Sequence, residues 1–186
     1  MQENSAADDL EDSGGGDGES QTTRALAPLL HSGWSLGHPI RRAHGDLDHV
    51  AVGPGGTYLL ASRELRGSVE LRGGVPWLER RHHPPASTSL PSIRPRALSA
   101  AARLEKELYE HCTANVAVRA VVVLWAEFPA TVLEDGRCVF LAGTALAQWL
   151  SARPKLLGAE QLAEIRRGLE LLASRQTSGA WSTATS

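Results

Sequence analysis

A single α/β domain with a tail at each end is the fold class this sequence predicts, and three observations carry that expectation. The 186 residues are 42% hydrophobic, enough for one modest core within the usual size range of a domain. Residues Val116 to Trp125 form a nearly unbroken β-branched run, the pattern of a strand covered on both faces and therefore central in its sheet. Helix formers at helical spacing, from Ala97 to His111 and from Ala159 to about Ala173, supply layers to cover that sheet.

Taken in order, residues 1–17 read as a disordered acidic arm, because a glycine-rich acidic tract buries too little apolar surface to offset the entropy of ordering it. The folded unit is expected over 18–173, and residues 174–186, rich in Ser, Thr and Gly, read as a frayed, flexible tail. Thr22 or Thr23 is positioned to cap a short helix through Leu30, with Pro28 bending it or marking its start and Gly33 ending it. Trp34 then opens a strand. Asp46 to Val52 and Thr57 to Arg63 flank Gly53-Pro54-Gly55-Gly56 and read as a β-hairpin. A short strand is expected over Ser68 to Leu71, then a Gly73-Gly74 turn and a strand or loop carrying Trp77. Arg80 to Pro95, rich in Pro and Ser, reads as a surface loop. After the central strand, Asp135-Gly136 makes a turn into a strand from Arg137 to Leu141. Thr144 is placed to cap a helix through Ser151, which Pro154 closes off.

Charge is unevenly spread. Seven acids and no base lie in the first twenty residues, and with those set aside 19 Lys and Arg face 14 acids, a net of +5 for the remainder. A basic body with an acidic arm suits a polyanion partner such as DNA, for which the arm would compete; the same arm also serves simple solubility. No stretch approaches the ~20 apolar residues of a membrane span, and the N-terminus lacks the pattern of a secretory signal. The expected setting is therefore the cytoplasm, with no membrane partner. Cys112 and Cys138 lack metal-ligand spacing and read as two reduced thiols. The His82-His83 pair, next to Pro84-Pro85 in a loop and without nearby Cys or Glu, does not read as a zinc site. Gly53-Pro54-Gly55-Gly56 has no following helix and no Gly-Lys-Thr ending, so it reads as a turn and not a phosphate cradle. The five tryptophans read as packing residues.

The hairpin concentrates the chemistry. Alternation puts Asp46, Asp48, Val50 and Val52 on one face, and Thr57, Leu59, Ala61 and Arg63 on one face of the partner strand. If the turn is only Gly53 to Gly56, Val52 pairs with Thr57, Asp48 faces Ala61 and Asp46 faces Arg63. Two carboxylates across such a hairpin hold Mg²⁺ with water completing the octahedron. Here one side offers a methyl and a guanidinium that keeps its proton near neutral pH. Two readings of this face stand side by side: an altered metal site, and a cross-strand ion pair among Asp46, Asp48 and Arg63.

The run Gly45-Asp46-Leu47-Asp48-His49-Val50-Ala51-Val52-Gly53-Pro54-Gly55-Gly56-Thr57-Tyr58-Leu59-Leu60 resembles the signature of the NERD, or nuclease-related, domain: an Asp-His strand, a Gly-Pro-x-Gly turn and an apolar strand. The similarity continues through Arg66-Gly67 and Val69 and, in its order of elements, to about Ala173. NERD domains are assigned to the PD-(D/E)XK nuclease superfamily, whose members cut nucleic acid with a divalent metal. The resemblance therefore implies a restriction-endonuclease-like mixed sheet flanked by helices, with Mg²⁺ or Mn²⁺ as cofactor where the site is active. It carries the family's metal-binding Asp onto Asp48 and its Gly-Glu onto Gly18-Glu19, making Glu19 an accessory acid. The family's second strand ends in an acid, any residue and Lys, and those positions fall on Ala61, Ser62 and Arg63. Both functional positions differ from the pattern. Losing an outer-shell partner costs a metal site ~10 to 100-fold, and a missing first-shell carboxylate costs at least as much. Arg63 keeps the positive charge of the family Lys, in a fork that suits phosphate binding better than water positioning. Glu64 points to the opposite face unless a bulge turns it over, and the helix from Ala97 lacks the Gln associated with the superfamily's supporting helix.

The implied function is a nuclease-related module, catalytically inactive or impaired, that associates with nucleic acid or with a protein. Two alternatives follow from the same residues. One is an active metal-dependent DNA nuclease with a rearranged ligand set of Glu19, Asp48 and Asp46. The other is a protein-binding scaffold that uses the Pro-rich loop or the terminal helices.

Overall fold

The computed structural model describes residues 15–37, 49–80, 86–113, 115–175 and 181–183. They form one α/β domain around a nine-stranded mixed sheet. The strands are β1 (Ser35–Gly37), β2 (His49–Gly53), β3 (Gly56–Arg72), β4 (Val75–Arg80), β5 (Ala86–Ser89), β6 (Val118–Glu127), β7 (Val132–Asp135), β8 (Cys138–Ala142) and β9 (Trp181–Thr183). The helices are α1 (Gly15–Leu26), α2 (Ile93–Tyr109), α3 (Leu146–Ser151) and α4 (Ala159–Arg175), with 3₁₀ turns at Ala27–Ser32 and Gly143–Ala145.

The main path of the sheet runs β7-β8-β6-β3-β2-β1-β9, and β4 pairs with β3 and with β5 beside it. Strands β3, β6 and β8 are parallel and the other pairs antiparallel. The β-branched run does become the inner strand β6, between β3 and β8, with Val121, Val122 and Val123 fully buried. Alternation along the strands divides the core in two. Val50, Val52, Leu59, Ala61, Val122 and Leu124 pack against Ala97, Ala101, Leu104 and Leu108 of α2 and Ile165 and Leu169 of α4. Ala51, Tyr58, Leu60, Val121 and Val123 pack against Leu26 of α1, Leu29, Trp34 and Leu146, Trp149 and Leu150 of α3.

The hairpin register is the one read from the sequence. Val52 pairs with Thr57 and Gly53 with Gly56, and the ladder continues to His49 opposite Leu60. Gly53 is required here because a Cβ would run into the Trp34 indole. Gly33, at φ 79°, ends the 3₁₀ turn as expected, and Gly73 and Gly74, at φ 58° and 78°, make the tight β3–β4 turn.

Several elements differ from expectation, each for a local reason. Helix α1 starts at Gly15, so Thr22 and Thr23 are interior residues whose hydroxyls bond back to the carbonyls of Gly18 and Glu19, and not N-caps. Ser68 to Leu71 is not a separate strand but the end of the long β3, which passes a register shift between Glu64 and Ser68. The Pro-rich stretch contains β5, and α2 begins at Ile93 because Pro95 falls in its first turn, where its missing N–H costs nothing. Thr144 makes no side-chain cap; Gly143–Ala145 is a 3₁₀ turn that leads into α3. Strand β7 pairs with β8 through the expected Asp135-Gly136 turn, and within the Ser/Thr-rich tail β9 pairs with β1, where a frayed end was expected. Both cysteines are buried and free. His82, His83, Asp46 and Asp48 lie outside the described residues. Among the described residues, no helix is long and apolar enough to cross a membrane.

Candidate functional site

The site is built where α1 crosses the sheet at the middle of β3. Ser62 projects toward α1, on the same face as Leu60 and Tyr58, and it is 3% exposed. Its hydroxyl lies 2.7 Å from Thr22 Oγ1, which is fully buried. The Trp125 indole N–H, from β6, donates to the same Thr22 oxygen at 2.8 Å, and Thr22 Oγ1 lies 2.9 Å from the Gly18 carbonyl. A carbonyl only accepts, so the single Thr22 proton goes to Gly18, and Ser62 donates to Thr22. That hydroxyl thus accepts twice and donates once, its full capacity. One turn of contacts away, Thr23 Oγ1 lies 3.0 Å from the Glu19 carbonyl and 2.8 Å from His49 Nε2. His49, 3% exposed, joins β2 to the same helix.

These contacts press α1 closely onto the strand. A Cβ at Gly18 would lie 3.3 Å from the Glu64 backbone nitrogen and 3.5 Å from Trp125 Cδ1. It is Gly18 that meets β3 at Glu64; Glu19, next in sequence, is half-buried, and its carbonyl accepts from Thr23. The strand is regular through this point, since Glu64 still pairs with Trp125 in the frame that sets Ala61 opposite Val122, and the irregularity begins after it. Glu64 consequently stays on the Ser62 face and does not turn over to replace the acid missing at Ala61.

Ala61 and Arg63 occupy the other face. Ala61 is 2% exposed and belongs to the apolar cluster under α2, so a methyl packs where the family pattern has a carboxylate. Arg63 is 7% exposed, and its Nη1 donates to the Ser62 carbonyl at 2.7 Å. A buried guanidinium next to a methyl offers no oxygen to a metal, so these two residues do not fit a divalent cation. Among the described residues no group of three or more His, Cys, Asp or Glu is placed to hold a metal ion. Thus the sequence-named residues divide: Glu19 is on α1, on the Ser62 side of the sheet, Ala61 and Arg63 are on the other side, and Asp46 and Asp48 lie outside the described residues. Sequence reading passed over Ser62 as the variable position of the motif, and it missed Thr22 and Trp125 as partners. Hydroxyls at single positions carry no periodic signal that links residues 103 apart.

Around the hairpin turn a second set of contacts fixes the frame. Tyr58 donates to the Gly55 carbonyl at 2.8 Å and packs edge-on against Trp149, with ring centroids 5.5 Å apart. Burial raises the Tyr58 hydroxyl above its ordinary pKa, and the charges of Arg153 and Arg119 oppose that shift in part. Arg153 lies over the Trp149 ring at 4.4 Å.

The description "nuclease-related domain" (NERD) matches residues 14–125 of the chain, from the start of α1 to the indole that closes on it. No curated protein and no solved structure matches the chain.

Proposed function

Since the chain belongs to the NERD family, we infer that it is a nuclease-related module with disabled or impaired metal chemistry, which acts by associating with nucleic acid. One observation carries this reading: the motif position for the acid is Ala61, packed in the apolar layer under α2, beside a buried Arg63. A metal-ligating carboxylate needs water or other ligands around it, and among the described residues the surroundings of Ala61 are an apolar layer. The guanidinium retained at Arg63 favours phosphate binding over activation of water.

The test is plasmid nicking with Mg²⁺ or Mn²⁺ by the natural chain, Asp48→Ala, and the double variant Ala61→Glu with Arg63→Lys, each checked for a cooperative melt. Cutting by the double variant alone supports the reading. Cutting by the natural chain that is lost in Asp48→Ala overturns it. The second reading, an active nuclease with a rearranged ligand set of Glu19, Asp48 and Asp46, draws on the close docking of α1 on β3 at Gly18, the residue before Glu19. A melting temperature unmoved by millimolar Mg²⁺ or Mn²⁺ counts against that alternative. A protein scaffold is separated from both by DNA affinity as a function of salt, since phosphate contacts give a steep loss and a scaffold gives none.

A further inference from the structure

Strand β9 stands at the end of the sheet path, and among the described residues it pairs with β1 alone. The ladder sets Trp181 opposite Gly37, Ser182 opposite Leu36 and Thr183 opposite Ser35, and residues 176–180 separate the strand from α4. A strand this short, at the end of the fold and with one neighbour, opens locally far more often than the whole domain unfolds.

The edge beneath it needs an occupant. All three residues of β1 are buried, and β2 takes their other side through Val50, Ala51 and Val52. With β9 away, the outward backbone N–H and C=O groups of β1 lose their partners, the condition under which a sheet edge takes up another strand. The occupant in place is not the best suited to the site. Residues directly opposite each other on neighbouring strands share a face, and Leu36 packs into the apolar layer with Leu26, Trp34 and Ala51. Opposite Leu36 the ladder sets Ser182, at a position where a β-branched apolar residue would extend that layer.

We propose that the outer edge of β1 is a docking site for an extended segment of a partner protein, one with a β-branched apolar residue opposite Leu36, and that β9 holds the site in cis until such a segment displaces it. Main-chain hydrogen bonds give this mode of recognition its affinity, and alternate side chains give it selectivity. The tether to α4 favours the chain's own strand by raising its effective concentration, so the partner segment has to be the better strand former.

Fluorescence anisotropy of labelled peptides against the full chain tests the proposal. One peptide repeats residues 177–186, a second carries Ser182→Val, and a third carries Trp181→Pro with Ser182→Pro, adjacent positions of which one must aim its N–H at β1. The Ser182→Val peptide is expected to bind about two- to fivefold tighter than the natural sequence, and the proline peptide not at all. A full chain carrying both prolines unseats β9 and, provided it melts cooperatively, should bind the Ser182→Val peptide at least about tenfold tighter than the natural chain does. In the opposite direction, Ser182→Val within the chain should raise the melting temperature and weaken peptide binding about two- to fivefold, because the strand in place then competes better. That variant keeps β9 seated and so reads displacement even if the proline chain fails to fold. The proposal is overturned if the Ser182→Val peptide does not bind the natural chain at up to about 1 mM, the scale of the tether's own advantage. Equal binding of the proline peptide, or an affinity unmoved by Ser182→Val in the chain, overturns it as well. A natural-sequence peptide that binds as tightly as the Ser182→Val peptide would make a second copy of this chain the occupant, against the partner assigned.

Discussion

The Trp125 indole N–H meets the Thr22 hydroxyl at 2.8 Å across 103 residues of sequence. Through the same oxygen Ser62 binds at 2.7 Å, so one side chain of α1 joins the two central parallel strands, β3 and β6. The seat of α1 is set by a hydroxyl that has no spare valence.

Replacing that hydroxyl should therefore cost more than its size suggests. Thr22→Val removes the acceptor of both Trp125 and Ser62, and a loss of about 1–3 kcal/mol is expected in urea denaturation. Trp125→Phe in the Thr22→Val background should cost less than in the natural chain, because the indole has already lost its partner. Additive costs would show that the bond contributes nothing.

A carboxylate at position 61 should need its neighbour. Ala61→Glu combined with Arg63→Met leaves a charge without a partner in an apolar layer, and breaking a buried pair in this way costs about 3–5 kcal/mol. Ala61→Glu beside the native Arg63 should cost less, since residues two apart on one strand share a face. Equal losses in the two backgrounds would rule out a pairing.

The turn glycine should resist even a methyl. Gly53→Ala places a Cβ within the Trp34 ring, so overpacking of about 1–3 kcal/mol is expected from thermal or urea melts. Gly158→Ala is the control, because its Cβ meets only the Gln161 side chain at 3.9 Å. A Gly53→Ala protein as stable as this control would show that Trp34 moves aside freely.

Acid should weaken the Glu134 cluster. Burial acts to raise the Glu134 carboxyl, but the hydrogen bond and charge of Arg119, joined by Arg153, outweigh it and hold the carboxyl below its ordinary value. A lowered folded pKa contributes stability above the unfolded value, and that contribution is lost as pH falls through the folded value. The side chain is 40% exposed, so the advantage of the natural chain over Glu134→Gln should be under about 1 kcal/mol at pH 7. It should shrink as denaturation is followed from pH 5 to pH 3. A difference independent of pH would assign it to something other than charge.

Cys138 should be inert in the native state. Burial pushes its thiol up to about 11, so little thiolate exists at neutral pH, and Cys112 is raised by burial as well. Both are expected to react with a thiol reagent only as fast as the chain unfolds. For such raised thiols the stability contribution is present below the unfolded value and fades as pH climbs toward the folded one. Immediate labelling of either cysteine at pH 7.5 would contradict this.

Legibility from sequence followed the range of the interaction that decides each element. The β2–β3 register was readable because Gly53 to Gly56 permit one short turn and alternation does the rest. The inner place of β6 was readable from its β-branched composition. The start of α1 was hidden because its glycines and acids argue against a helix, and only docking on Ser62 and Trp125 offsets that bias. Strands β5, β7 and β9 were missed because three or four residues carry too little periodicity, and pairing with β4, β8 and β1 supplies their order. In the site, the altered residues Ala61 and Arg63 were visible as letters. Their burial on the face away from α1 was a consequence of packing that no local pattern states.

The bond between Thr22 and Trp125 also has a meaning in time. At ribosomal speeds of ~5–20 residues per second, the indole emerges roughly 5–20 s after the helix that needs it. During that interval the apolar side of α1, with Leu26 at its end, has only the β2–β3 hairpin to settle on, through Ser62 and His49. The nascent chain is therefore expected to pass through a stage in which α1 rests on the β2–β3 hairpin while the sheet still lacks β6.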